Sequence, residues 1–184
     1  MSNLDRPAVK RVRDALLDAG LADTVVELSD TARTAEDAAA AVGCELGAIV
    51  KSLAFSVGNR FVMALVAGDH SCIEDNLPTA FKLRGAVRRP QASEVKGVTG
   101  FTIGGVAPVG LSHPLPLVID ASLKRFETVY AAAGHPHCVF AVSFNDLARI
   151  TGGVISYTIA RPNEGVAPYA PRLKRSKTFQ KDAG

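Results

Sequence analysis

Two apolar runs, IVKSLAFSV (49–57) and RFVMALVAG (60–68), are separated only by Gly58 and Asn59. A Gly/Asn pair between such runs marks a tight β-hairpin, so the centre of the chain is expected to be two antiparallel strands. Strand residues two apart share a face. Ile49, Lys51, Leu53, Phe55 and Val57 therefore point one way and Val50, Ser52, Ala54 and Ser56 the other, which puts a lysine on the greasier face near the entrance of the first strand. An unpaired ammonium is costly to take out of water. Either Lys51 packs its stem and frees its head at the strand end, or its head stands in a polar pocket.

Around the hairpin, helical and extended signals alternate irregularly. Val9, Val12, Leu16 and Leu17 make one stripe over residues 5–19, with Pro7 near its start and Gly20 past its end, as in an amphipathic helix. TVVEL (24–28) reads as a short strand. A second helix starts at Thr34, with Asp37 completing a capping-box pattern and Gly43 closing it. Residues 71–83 read as partly helical, limited by Pro78, and Ser93 as the cap of one more short turn. After the glycine-rich TGFTIGGVAPVG come the strand PLVID, a helix near 123–126, and the strands TVYAAAG and CVFAVS. Ser143 with Asp146 caps a helix over FNDLARI that ends at Gly152 and Gly153, and VISYTIA is a last strand. Hairpins mixed with helical connections imply an α/β (α+β) fold, a mixed, barrel-like β-sheet surrounded by helices. The expected organisation is one domain over 1–162 and a basic, Pro-containing tail over 163–184.

A hydrophobic content of 47% with 21% charged residues suits a globular domain, and the longest apolar run, 61–68, is too short to cross a bilayer. The first twenty residues lack the apolar core of a secretory signal, so a cytoplasmic location is expected, with no membrane partner. Three cysteines, Cys44, Cys72 and Cys138, form no CxxC and fit reduced thiols there. The net charge of +3 is uneven. Residues 171–184 carry Arg172, Lys174, Arg175, Lys177 and Lys181 against Asp182, and Lys82, Arg84, Arg88, Arg89 and Lys96 form a second basic stretch broken only by Glu94. Such patches suit a polyanion such as RNA, although many short basic runs are simply solvated.

Several motifs fail on inspection. GAIVKS is no phosphate-binding loop, because Val50 stands where that loop needs glycine before its lysine. Gly104, Gly105 and Gly110 lack the dinucleotide spacing; they serve a tight turn, or backbone brought close to a ligand with N–H groups facing an oxyanion. His113, His135, His137 and Cys138, even with His70 and Cys72, do not make zinc-site spacing, so no metal and no cofactor is expected. Neither Cys44 nor Cys138 opens a helix that would activate a thiol, and Ser52 has no G-x-S-x-G setting.

The order IVKSLAF, hairpin, helix, TGFTIGGVAPVG, LPLVID, FETVYAAAG, NDLARI resembles the YbaK and ProX group of aminoacyl-tRNA deacylases, which is similar to the editing insertion of bacterial prolyl-tRNA synthetases, over about residues 7 to 160. The resemblance implies a mixed barrel-like sheet and hydrolysis, in trans, of the ester joining a wrong amino acid to tRNA. The partners it implies are the aminoacylated 3′ end of tRNA and an aminoacyl-tRNA synthetase. On the same ground Lys51 matches the family's essential lysine, and Gly104, Gly105, Val106, Ala107 and Pro108 its G-x-x-x-P loop. Asp120, Gly134 and His135 fall on or beside recurring positions. The sequence departs from the cysteine-clearing branch at Leu111, Ser112, His113 and Pro114, and again at Val139, where that branch has aspartate. A branch clearing alanine, serine, threonine or another small residue fits at least as well. The implied mechanism has the Lys51 ammonium holding the terminal adenosine or its phosphate, loop N–H groups cradling the carbonyl oxygen, and His135 or His137 orienting the amino group or the water. The competing class is a non-catalytic module that binds an RNA end or a small ligand in the same pocket.

Overall fold

A computed structural model describes residues 1–29 and 32–171; the tail cations Arg172, Lys174, Arg175, Lys177 and Lys181 lie outside the described residues. Helix α1 (Pro7–Asp18) buries Val9, Val12 and Leu16. Leu17, expected on the same stripe, is exposed, because one residue advances a helix by about 100°. A two-residue strand, β1 (Val26–Glu27), precedes α2 (Ala35–Val42). At the start of α2, Asp37 N–H donates to the Thr34 hydroxyl and Thr34 N–H to the Asp37 carboxylate, both at 3.1 Å, and Gly43 ends the helix at φ 73°.

The hairpin is β2 (Ile49–Val57) and β3 (Arg60–Ala67), antiparallel from Val50↔Ala67 to Val57↔Arg60. Then come β4 (His70–Cys72), α3 (Leu77–Phe81), β5 (Val87–Arg88) and α4 (Ala92–Thr99). The cap of α4 is Gln91, boxed with Glu94, so Ser93 lies inside the helix instead of capping it. Next are β6 (Leu117–Asp120), a 3-10 turn over Ala121–Arg125 where a helix was expected, β7 (Thr128–Ala132), β8 (Cys138–Ser143) and α5 (Phe144–Thr151). The segment VISYTIA splits into β9 (Val154–Ser156) and the start of β10 (Ala160–Pro162). Arg161 pairs with Ser71 of β4, and Asn163, the first residue of the expected tail, donates its N–H to Asp69 O at 2.9 Å.

One mixed sheet has the order β1-β8-β7-β2-β3-β6-β9, with β5 joined to β2, and β4 and β10 form a second, two-stranded sheet. Pairs β2/β7, β3/β6 and β6/β9 are parallel, the others antiparallel. The expected mixed sheet flanked by helices is thus present; among the described residues its end strands β1 and β9 do not pair, so it is not a closed barrel. The hairpin is covered on both faces. Val50, Met63, Leu65 and Ala67 pack with Val9, Val12 and Leu16 of α1 in one core cluster. Phe55, Val57, Val62, Ala64 and Val66 join Leu77 and Ile159 in another. This two-sided burial is why β3 reads as an unbroken apolar run rather than an alternating one.

Candidate functional site

The sheet is open along one side of β2. On that edge β7 pairs with β2 only at Ile49↔Tyr130 and Val50↔Ala131, and β5 only at Ser56↔Arg88 and Val57↔Val87. Among the described residues, nothing pairs there with residues 51–55. Gly68 N–H donates to Ile49 O, which makes the odd-numbered residues of β2 the ones that exchange hydrogen bonds with β3. By the alternation of an antiparallel ladder, the N–H and C=O groups of Ser52 and Ala54 then turn toward the gap. A cavity of about 350 Å³ fills it, lined among others by Lys51, Ser52, Ala54, Gly104, Val106 and Pro136. Because the sheet is parted, side chains from both faces of β2 reach this one space.

Lys51 is half-buried, and its ammonium donates to the carbonyl of His70 on β4. Burial pushes its pKa down from the ordinary 10.5, and the carboxylates of Asp120 and Asp69 pull the other way. The carbonyl it meets is held by a polar clamp. Arg125 donates to both oxygens of Asp69, at 2.8 and 2.7 Å, and Asp69 also meets His70 Nδ1 at 2.7 Å. Burial alone would raise the Asp69 carboxyl, but the Arg125 guanidinium and His70 hold it below the ordinary 3.8. Gly47, just before β2, makes room: a Cβ there would lie 2.8 Å from both Arg125 and Asp69.

The glycine loop approaches from the other face, where Val106 shares a core cluster with Val50 and Val95. Gly105 lies so near the 134–136 segment that a Cβ would stand 2.8 Å from the His135 Cα. Its N–H is spent on Thr102 O at 3.0 Å. Among the described residues the N–H groups of Gly104 and Val106 have no backbone or side-chain acceptor, and both residues line the cavity.

The structure therefore brings Lys51, Gly104 and Val106 to one space and places the other candidates elsewhere. Ala107 is fully buried in the core. Pro108 lines a second hollow of about 240 Å³ against Ala15 and Ala19. Asp120 is buried and its carboxylate is occupied, accepting from Ala67 N–H (3.1 Å), Ser122 N–H (2.9 Å) and the Ser122 hydroxyl (2.8 Å). It touches the site only through its field on Lys51. Gly134 packs on the Ala8 backbone. His135 is edge-to-face with His137, its Nδ1 accepting from His137 N–H at 3.1 Å, and its neighbour Pro136 is the residue that lines the cavity. Burial raises the thiols of Cys72 and Cys138 to about 11, so neither is a ready nucleophile near neutral pH.

Two features escaped the sequence reading. One is the clamp behind Lys51, whose members are 56 residues apart in sequence and carry no local motif. The other is Ser52, whose hydroxyl, among the described residues, is the buried side-chain polar atom without a hydrogen-bond partner. Strand alternation placed it opposite Lys51, but no local signal told of the missing neighbour strand.

A cavity with a cation on one side and unpaired backbone donors on the other has the chemistry to suit a small, polar, anion-bearing ligand. Comparison with known proteins gives the family. A family model for the aminoacyl-tRNA editing domain matches residues 29–150. The uncharacterized protein YwhH of Bacillus subtilis (strain 168) is 31% identical over 145 residues, 78% of this chain and 91% of YwhH. A proline–tRNA ligase of Solidesulfovibrio magneticus is 30% identical over 138 residues, 75% of this chain but 23% of the ligase. A solved structure described as "a putative trans-editing enzyme for prolyl tRNA synthetase" is 38% identical with a TM-score of 0.77, covering 82% of this chain and 96% of that one. The chain belongs to the aminoacyl-tRNA editing domain family, as the sequence resemblance implied. No helix among the described residues is long and apolar enough to cross a membrane.

Proposed function

We propose that this chain is a trans-acting deacylase that hydrolyses the ester of a small amino acid on tRNA. The observation that carries the reading is the single cavity shared by a half-buried ammonium and the unpaired N–H groups of Gly104 and Val106, in a chain of the editing-domain family. An aminoacyl ester is already activated, so positioning and charge stabilisation do more for its hydrolysis than a strong nucleophile. Lys51 holds the terminal adenosine or its phosphate. Water adds to the acyl carbonyl, with the substrate's own ribose hydroxyl assisting, and the developing oxyanion is met by the N–H groups of Gly104 and Val106. The ester C–O bond then breaks, releasing the free amino acid and the tRNA hydroxyl. Arg33 and Arg89 also line the cavity and give the RNA backbone a positive approach.

At about 350 Å³ the cavity is near the lower end of the roughly 300–1,000 Å³ of small-molecule sites. It suits alanine, serine or threonine and turns larger residues away by steric exclusion, since binding alone separates one methylene by only about 1–3 kcal/mol. The test is a deacylation panel of small amino acids on several tRNAs. Lys51→Ala is expected to lower kcat/KM for the best substrate by at least about tenfold, the scale of losing a hydrogen bond from a charged group. No hydrolysis by the parent protein, or an unchanged rate in the variant, would leave a binding module.

A further inference from the structure

The open edge of β2 is an unusual thing to keep inside a folded domain. Among the described residues, between Val50↔Ala131 and Ser56↔Arg88 the strand lacks a neighbour, so the backbone groups of Ser52 and Ala54, both part-exposed residues, face the cavity instead of a ladder. Backbone groups withdrawn from water are nearly always paired. At the same residue a second polar group is idle, because the Ser52 hydroxyl is buried in the cavity wall without a partner. A bond of this kind left unmade is unfavourable in the empty protein. Donors and acceptors left idle along one strand edge are what an extended, peptide-like ligand requires.

We propose that the free edge of β2 at Ser52 and Ala54 takes the place of its missing neighbour from the substrate: the α-ammonium and acyl carbonyl of the aminoacyl ester bond to this edge as one residue of an added strand. The substrate class rests on the deacylase reading above; the edge and its idle groups do not. An aminoacyl ester presents an ammonium and a carbonyl across one Cα, the same spacing as the N–H and C=O of a strand residue. The ammonium donates to an edge carbonyl and, after a change of rotamer, to the Ser52 hydroxyl, while the acyl oxygen leans toward the edge and loop N–H groups. The site thereby reads the unblocked amine that every aminoacyl-tRNA substrate carries, whatever its side chain. Side-chain size is read separately by the apolar walls.

The probes are 3′-deoxy-3′-(L-alanylamino)adenosine, which cannot be hydrolysed as an ester, its N-acetyl derivative, and adenosine. Calorimetry gives their affinities, and amide hydrogen exchange by NMR reports on Ser52 and Ala54 directly. The free-amine analogue is expected to bind at least about tenfold more tightly than either other compound, the scale of a hydrogen bond to a charged group. It should also slow exchange at both amides. In Ser52→Ala the preference for the free amine should shrink, while the melting temperature holds or rises, because a hydroxyl without a partner has been removed. Equal binding of the acetylated analogue, unchanged exchange at both amides, or a Ser52→Ala variant that binds like the parent would each overturn the edge site. Hydrolysis of alanyl-tRNA is followed in the same preparation. Its absence beside amine-dependent binding would sink the deacylase reading and spare the edge; its presence without amine preference would do the reverse.

Discussion

The two sides of β2 are finished differently. Behind Lys51 the polar groups are satisfied: Arg125 grips Asp69, Asp69 meets His70, the His70 carbonyl receives the ammonium, and Asp120 is filled by Ala67 and Ser122. Across the gap they are not. Among the described residues, the Ser52 hydroxyl, the edge of Ser52 and Ala54, and the N–H groups of Gly104 and Val106 have no partners. Folding alone would favour satisfying both. A satisfied side beside an unsatisfied one is a rigid support next to an open place, and under the proposed function the substrate lies on the glycine-loop side of the strand.

The strongest way to break the contrast is to open the satisfied side. Asp69→Asn leaves Arg125 partly buried beside a neutral amide and is expected to cost about 3 kcal/mol in denaturant unfolding, the low end for breaking a buried ion pair. Because Asp69 is held below its ordinary 3.8, its contribution is fully present above that pH and is lost as pH falls through the folded value. The parent should therefore lose stability in acid where the variant has none left to lose. A variant as stable as the parent, with the same acid profile, would show that the clamp is not structural.

A smaller effect is expected from crowding the open side. Gly105→Ala forces a Cβ onto the His135 backbone, an overpacking worth about 1–3 kcal/mol. It should displace Gly104 and Val106, so catalysis should fall further than stability predicts. Equal losses in both would mean that the loop's placement is unimportant to the site.

The mildest expectation concerns pH. Burial holds Lys51 below 10.5, so the folded protein binds that proton less tightly than the unfolded chain. The charged lysine costs stability below the folded value, and this cost is relieved as pH rises toward 10.5. If the ammonium holds substrate, kcat/KM corrected for spontaneous hydrolysis falls over the same rise, on the alkaline side but below 10.5. Lys51→Arg, if active, should move that fall upward. A limb that stays put would remove Lys51 from the titration.

Much of the frame was readable before any coordinates. Gly58 and Asn59 set the hairpin, Thr34 and Asp37 the cap of α2, and Ser143 that of α5, because each signal acts within a few residues of itself. The face of Lys51 followed from strand alternation. What misleads is also local: Leu17 shares its helix stripe in the sequence pattern but is exposed, and the cap of α4 is Gln91, two residues before Ser93. Asp120, Pro108 and Gly134 matched a family pattern, yet they support the fold around the cavity instead of lining it.

The sequence by itself determined the hairpin, the mixed α/β architecture and the membership of an editing family, since periodicity, caps and motif order are written along the chain. Only the tertiary structure decided that β7 and β5 stop short of each other on β2, that Asp69 and Arg125 meet behind Lys51, and that Ser52 is left unpaired. Those facts depend on where distant segments end in space, and side-chain period carries no record of a strand that fails to arrive.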